Sequence, residues 1–390
     1  MMELLFLLLP VAALSGWYFG ARHKKQDIEL VATNAYSKNY LKGLNYILNE
    51  QQDKALEVFL EIVEVDSETV ETHLALGGLF RRRGEVERAI RIHQNLMARP
   101  NLTQGYRNQA LLELGYDYMN AGLFDRAVRL FTDIVESKAN EEKPDALMAL
   151  LDIYQQEKSW QDAIDIAKKL QQLTRQSMGL MMAQCYCELA QKKLDDKSYK
   201  QAKALAKKAL QSDDHCVRAS IILGDSDMQQ AKYRSAIKYF KEVENQDPEF
   251  LPVILEKESH CYSLLGRSAD YLNHLKQRLK RHYSTLVNLQ LAKHLGEIEG
   301  EAKAKSIVLD GLDKQPSLHA LHYLIDLENK DSSSNDTALL DVVSGQIQKI
   351  IDVQLFYKCN HCGLKTKTLF WHCPSCKSWS TIKPLKALEE

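Results

Sequence analysis

The sequence predicts an all-α protein: a helical-repeat solenoid with one N-terminal transmembrane helix and a small four-cysteine module at its C-terminal end. Three observations carry this. A helical pattern returns every 34 to 39 residues, an uncharged apolar run fills the first twenty positions, and two CxxC pairs stand within the last 32 residues.

The clearest repeat reads Leu111-x2-Leu114-Gly115-x2-Tyr118, then Gly122, then Ala127-x3-Phe131. That order is the tetratricopeptide pattern, with small residues where two helices cross and aromatics beside the crossing. Taking the second-helix alanine as marker gives Ala55, Ala89, Ala127, Ala163, Ala202, Ala236 and Ala304. Gly43, Gly77, Gly115 and Gly224 fall at the matching first-helix site. Pro248 and Pro316 each follow a marker alanine by 12 residues, where the second helix should stop. The unit at 251–284 keeps helical periodicity but is degenerate, with Asp270 expected at the marker position. Residues 35–330 therefore read as a tetratricopeptide-repeat α-solenoid of about eight helix pairs, whose concave surface binds proteins. Asn101–Asn108 and Thr174–Met178 read as insertions that lengthen turns. Two basic runs, Lys192 to Lys208 and Lys276 to Arg281, read as solvated outer faces, with docking of an acidic partner or an anionic membrane surface as the alternative.

Leu4 to Gly20 is apolar and extends with Met1, Met2 and Ala21 to the length of a bilayer core, about 30 Å at 1.5 Å per residue. Trp17 and Tyr18 suit the headgroup level. A cleaved signal peptide would place positive charge before the run. Here Glu3 precedes it, and Arg22, His23, Lys24 and Lys25 follow. Residues 1–21 are thus expected to be an uncleaved anchor and 22–34 a basic juxtamembrane segment, with the N-terminus outside and the bulk of the chain cytoplasmic.

With 390 residues, 26% of them charged, and a net charge of −1, the chain gives no global reason to expect nucleic acid. It shows no GxxxxGK[ST], GxGxxG, GxSxG or HExxH motif, so no catalytic residue is assigned. Cys185, Cys187, Cys216 and Cys261 lie scattered without ligand spacing, and free thiols indicate a reducing compartment.

The remaining cysteines do have ligand spacing: Cys359-x2-Cys362-x10-Cys373-x2-Cys376. Each CxxC turns two sulfurs inward, so four thiolates can close tetrahedrally on one ion. A segment this short cannot bury enough apolar surface to fold alone, so the metal supplies most of its stability. Iron and zinc both accept such ligands. After the polar break beginning at Asp331, residues 331–355 read as a linker with one amphipathic helix, leading into the metal module at 356–388. That module holds six lysines and no acid, interleaved with Phe370, Trp371 and Trp379. Its aromatics read as a minimal core; a nucleic-acid-binding ribbon is the alternative. His361 and His372 are spare nitrogens beside a ligand set that four cysteines already fill.

The order of parts, an ELLFLLLPVAALSGWYFG anchor, tetratricopeptide repeats, then C-x2-CG and HCP-x-C at the end, resembles the lipopolysaccharide assembly protein B family over the full length. The resemblance implies a rubredoxin-like module packed on the repeats, with Cys359, Cys362, Cys373 and Cys376 holding one iron or zinc. It implies a non-enzymatic inner-membrane adaptor regulating lipopolysaccharide biosynthesis. That adaptor would help the membrane-anchored AAA+ zinc protease degrade the deacetylase that commits precursors to lipid A, and would gather other lipopolysaccharide assembly proteins. A homodimer stays open. Electron transfer through the thiolate site is the competing function, though the spacer is short for a free-standing rubredoxin.

Overall fold

The computed structural model describes residues 70–100, 102–137, 141–331 and 337–385, together with positions 42, 43, 45, 46, 51, 54 and 58. The expected anchor, the basic segment after it and the marker Ala55 lie outside the described residues. Among the described residues no helix is long and apolar enough to cross a membrane. The chain forms two compact units, 1–157 and 158–390.

The first unit contains α1 (Val70–Arg82), α2 (Val86–Met97), α3 (Gln104–Asn120), α4 (Phe124–Glu136) and α5 (Lys143–Gln156). Gln104–Asn108 of the expected insertion is the first turn of α3 and not a longer loop. Two-helix turns are closed by Gly84 and Gly122, at φ +80° and +72°, a backbone region that only glycine enters without cost. Ala89 and Ala127, each the fourth residue of its helix, are fully buried. Opposite them the helices touch. A Cβ on Gly115 would lie 2.5 Å from the Phe131 ring, so only glycine admits the aromatic. In the first pair His93 takes the place of Phe131 against Gly77. Its Nδ1 lies 2.5 Å from buried Asp117, which also accepts from Arg81 at 2.9 Å.

The second unit runs α6 (Trp160–Thr174), α7 (Gly179–Asp195), α8 (Tyr199–Ser212), α9 (Val217–Gln229) and α10 (Tyr233–Gln246). After a 3-10 turn at Pro248–Phe250 come α11 (Leu251–Leu264), α12 (Ser268–Arg281), α13 (Thr285–Glu299), α14 (Glu301–Lys314), α15 (Leu318–Asp331) and α16 (Thr337–Val353). Gly224 and Phe240 repeat the glycine–aromatic crossing, with a Cβ-to-ring distance of 2.3 Å. Successive first helices are joined by ion pairs, Arg218 to Glu188 at 2.7 Å and Lys257 to Asp225 at 2.7 Å.

Two sequence expectations are corrected here. The marker position of the degenerate unit holds Tyr271, the fourth residue of α12, and not Asp270. Tyr271 is buried, packs on Tyr262 at 5.1 Å and donates to the Leu255 carbonyl at 3.0 Å. Asp270 is exposed and pairs with Arg267. Halving the 68-residue gap assumed equal steps, whereas Tyr271 divides it unequally. The second correction is Arg278, expected on a solvated face. It is fully buried, with Nε donating to Glu244 at 3.0 Å and Nη1 donating to Glu258 at 2.8 Å. Carboxylates from α10 and α11 replace the water it would otherwise need.

Candidate metal centre

Beyond α16 the chain forms a three-stranded antiparallel ribbon, order β2-β1-β3, from β1 (Tyr357–Cys359), β2 (Lys365–Thr366) and β3 (Ile382–Pro384). Two equivalent knuckles carry the cysteines. In the first, the Gly363 amide donates to the Cys359 carbonyl at 2.9 Å, with Gly363 at φ +78°. In the second, the Lys377 amide donates to the Cys373 carbonyl at 3.0 Å, with Lys377 at φ +58°. The knuckle geometry is the same; only the second puts a side chain where glycine is preferred.

The four ligand sulfurs lie within 4.8 Å of one another. Cys359 and Cys376 are 3.7 Å apart, as are Cys362 and Cys373. Sulfurs on metal bonds of about 2.3 Å stand roughly 3.8 Å apart at the corners of a tetrahedron, so the set fits one iron or zinc ion. Cys359 and Cys373 face inward while Cys362 is exposed. The side chain and amide of Ser378 hold the Cys376 thiol down at about 5, a thiolate at neutral pH. Burial pushes Cys373 up to about 11, so its proton must leave when metal enters. Thr381 Oγ1, 3.2 Å from Cys359 Sγ, is placed to donate to that thiolate.

The aromatics are not the ribbon's core, contrary to expectation. That core is Cys359, Cys373 and Ile382, with Tyr357, Leu364 and Leu369 around it. Trp371 instead stacks on Phe250 at 5.2 Å and 16°, under the Arg218 guanidinium at 5.8 Å. Trp379 meets Trp160 edge-on at 5.9 Å and stacks on His372 at 4.2 Å. His372 donates through Nε2 to the Lys377 carbonyl at 2.7 Å, so it serves the second knuckle and is no spare ligand. Lys383, read as a solubilising charge, reaches Asp247 and Glu249, each at 2.8 Å. Lys367 donates to the Asp352 carbonyl of α16 at 2.9 Å. The module is thus fastened to the repeats by two tryptophans and two lysines. No spacing rule could have announced the contacts of Trp371, Trp379 and Lys383, because their partners lie more than a hundred residues away. Cys187 and Cys216 also meet, at 3.7 Å and fully enclosed by repeats, a pairing without any sequence signal.

Comparison with known proteins agrees with this geometry. The rubredoxin metal binding domain pattern matches residues 357–384, and tetratricopeptide repeat patterns match 72–104 and 112–177. Lipopolysaccharide assembly protein B of Escherichia coli strain K12 is 38% identical over 390 residues, covering all of both chains. That of Haemophilus influenzae is 37% identical over 402 residues, again covering all of both. At that identity over the whole length, with the metal-binding and repeat patterns both matched, the chain belongs to the lipopolysaccharide assembly protein B family.

Proposed function

We propose that this chain is a non-catalytic adaptor that regulates lipopolysaccharide biosynthesis from the inner membrane. In this reading residues 1–21 anchor it, with the N-terminus periplasmic and the repeats cytoplasmic. The repeats bring the lipid A committed-step deacetylase to the membrane AAA+ protease and gather other lipopolysaccharide assembly proteins. Family membership supports the pathway. The observation that carries the adaptor role is the docked ribbon: Trp371, Trp379 and Lys383 turn a metal module into part of a binding surface. Four thiolates used this way hold shape and do not need to react. Depletion of the protein should lengthen the deacetylase half-life several-fold, and an unchanged half-life would sink the proteolytic role. Deleting residues 1–20 should leave folded repeats with much weaker activity, since membrane confinement raises encounter frequency without new contacts.

One observation favours a second reading. Cys362 is exposed, which gives the thiolate site a route for electrons to solvent. Electron transfer requires a reversible one-electron couple, so a native site filled only with zinc eliminates it.

A further inference from the structure

The last helix pair closes the stack on one side only. Toward α15, α16 buries Ile347 and Ile351, and Ser344 donates to Asp326 at 2.9 Å. On its other side Leu339, Val342, Val343, Ile350 and Val353 are exposed by 69, 60, 37, 54 and 71%. At 3.6 residues per turn these five, with exposed Gln346, fall within roughly 100° of the helix circumference. End units of a repeat stack ordinarily carry a polar outer face. This one carries an apolar stripe about 21 Å long.

We propose that the stripe is a twofold interface with a second copy of this chain, the two α16 helices packing antiparallel about Gln346. The residue spacing is self-complementary about that position. Leu339 and Val353 lie seven residues to either side of Gln346, and Val342 and Ile350 lie four to either side. Antiparallel pairing sets Leu339 against the second copy's Val353, Val342 against its Ile350, and the two Gln346 amides against each other, each able to donate and accept. Three residues out, the symmetry pairs Val343 with Lys349, whose methylene stem covers the valine while its ammonium stays in water. The two ammonium groups then stand about 9 Å apart along the axis, close to a Debye length. Asp341 and Asp352 lie away from the stripe, so closure sets no acid against an acid.

Charge speaks against a lipid surface as occupant. A helix lying on an anionic leaflet wants lysine and arginine along its polar side. Here Lys349 stands between two aspartates. Size fixes the strength: half the surface of such a helix is on the order of 400 Å² per copy, below the roughly 800 Å² of a standard interface. The association is therefore weak and concentration-dependent.

The full chain in detergent micelles, carrying Gln346→Cys and treated with a short bismaleimide, tests the arrangement against the unsubstituted chain. Gln346→Cys should cross-link to a dimer at least ten-fold more than Gln348→Cys, which faces the opposite way. Leu339→Cys mixed with Val353→Cys should cross-link at least ten-fold more than either alone. Adding Val342→Lys and Ile350→Lys to Gln346→Cys, both at exposed sites, should cut the dimer at least ten-fold. Equal cross-linking at 346 and 348 would overturn the proposal. So would a preference for Leu339→Cys with itself, capture of a different protein, or a dimer indifferent to the two lysines.

Discussion

The ribbon and the repeats it sits on keep their shape by opposite means. Within α9–α13 a continuous cluster from Val217 to Leu295 is buried, and helices approach until only glycine fits at Gly224. The ribbon's own core is the small cluster of Cys359, Cys373 and Ile382, and two of those three are metal ligands. Its large apolar side chains point outward, onto Phe250 and Trp160. The difference separates two jobs that a single hydrophobic core usually does together. Metal gives the ribbon its internal order, and surface borrowed from the repeats gives it an orientation.

Removing the metal breaks the comparison most severely. Cys373→Ser should unfold residues 357–384 and leave the repeats intact, because the lost contribution is on the order of 10–16 kcal/mol for a structural zinc peptide. Amide exchange reads the split: ribbon amides should become unprotected while those of α9–α12 stay slow. Protection lost in both regions would mean that the repeats lean on the ribbon.

On the repeat side the largest effect should come from Arg278. Arg278→Ala leaves buried Glu258 without its cation and Glu244 with only the half-exposed Arg281, at a cost of about 3–5 kcal/mol. Urea unfolding measures it. Metal content per chain should not change, since the triplet belongs to the helices alone.

Trp371→Ala separates order from orientation. The tryptophan is half-buried, so the loss should be about 2 kcal/mol, below the 3–5 of a fully enclosed aromatic. The expected product keeps its metal but loses its dock, seen as faster exchange or proteolysis at 385 and at Asp247–Phe250. If metal is lost too, the two jobs are not separable.

The repeats should also show an acid sensitivity of their own. Burial first, then the cations Arg278, Lys241 and Arg281, hold His274 down at about 3, so its imidazole is neutral in the fold. Near pH 6.5 the unfolded chain begins to take up this proton while the folded chain does not. Stability from this site is therefore complete above 6.5 and falls between 6.5 and 3, by at most about 1.4 kcal/mol per pH unit. His274→Gln should flatten that part of the curve relative to the unsubstituted chain.

How much of this could be read in advance follows the same division. Ligand spacing is local, four residues across one knuckle, so Cys359, Cys362, Cys373 and Cys376 declared themselves. Repeat period is local too, and Ala89, Ala127, Ala202 and Ala236 fell into register. What failed was anything decided by a distant partner. Arg278 looked solvated until Glu244 and Glu258 stood beside it. Trp371 looked like a small domain's core until Phe250 lay under it. Equal spacing points to Asp270 and misses Tyr271, because the crossing of this unit is filled by a tyrosine and its step is 35 residues.

The smallest effect compares one backbone problem in both regions. Ala231 turns α9 into α10 at φ +57°, and Lys377 closes the second knuckle at φ +58°. Equivalent places hold glycine, at Gly122 among the repeats and at Gly363 in the first knuckle. A side chain in that region costs about 1–2 kcal/mol, while glycine gives back about 0.5–1 in chain entropy. Ala231→Gly and Lys377→Gly should each gain roughly 0.5–1 kcal/mol. The gains should appear in different measurements. Ala231→Gly should raise the urea midpoint of the repeats and leave metal release unchanged. Lys377→Gly should slow metal release to a chelator a few-fold and leave the repeats where they were. If Lys377→Gly moves the urea midpoint instead, ribbon and repeats unfold as one body, and the metal's order reaches beyond the knuckles it closes.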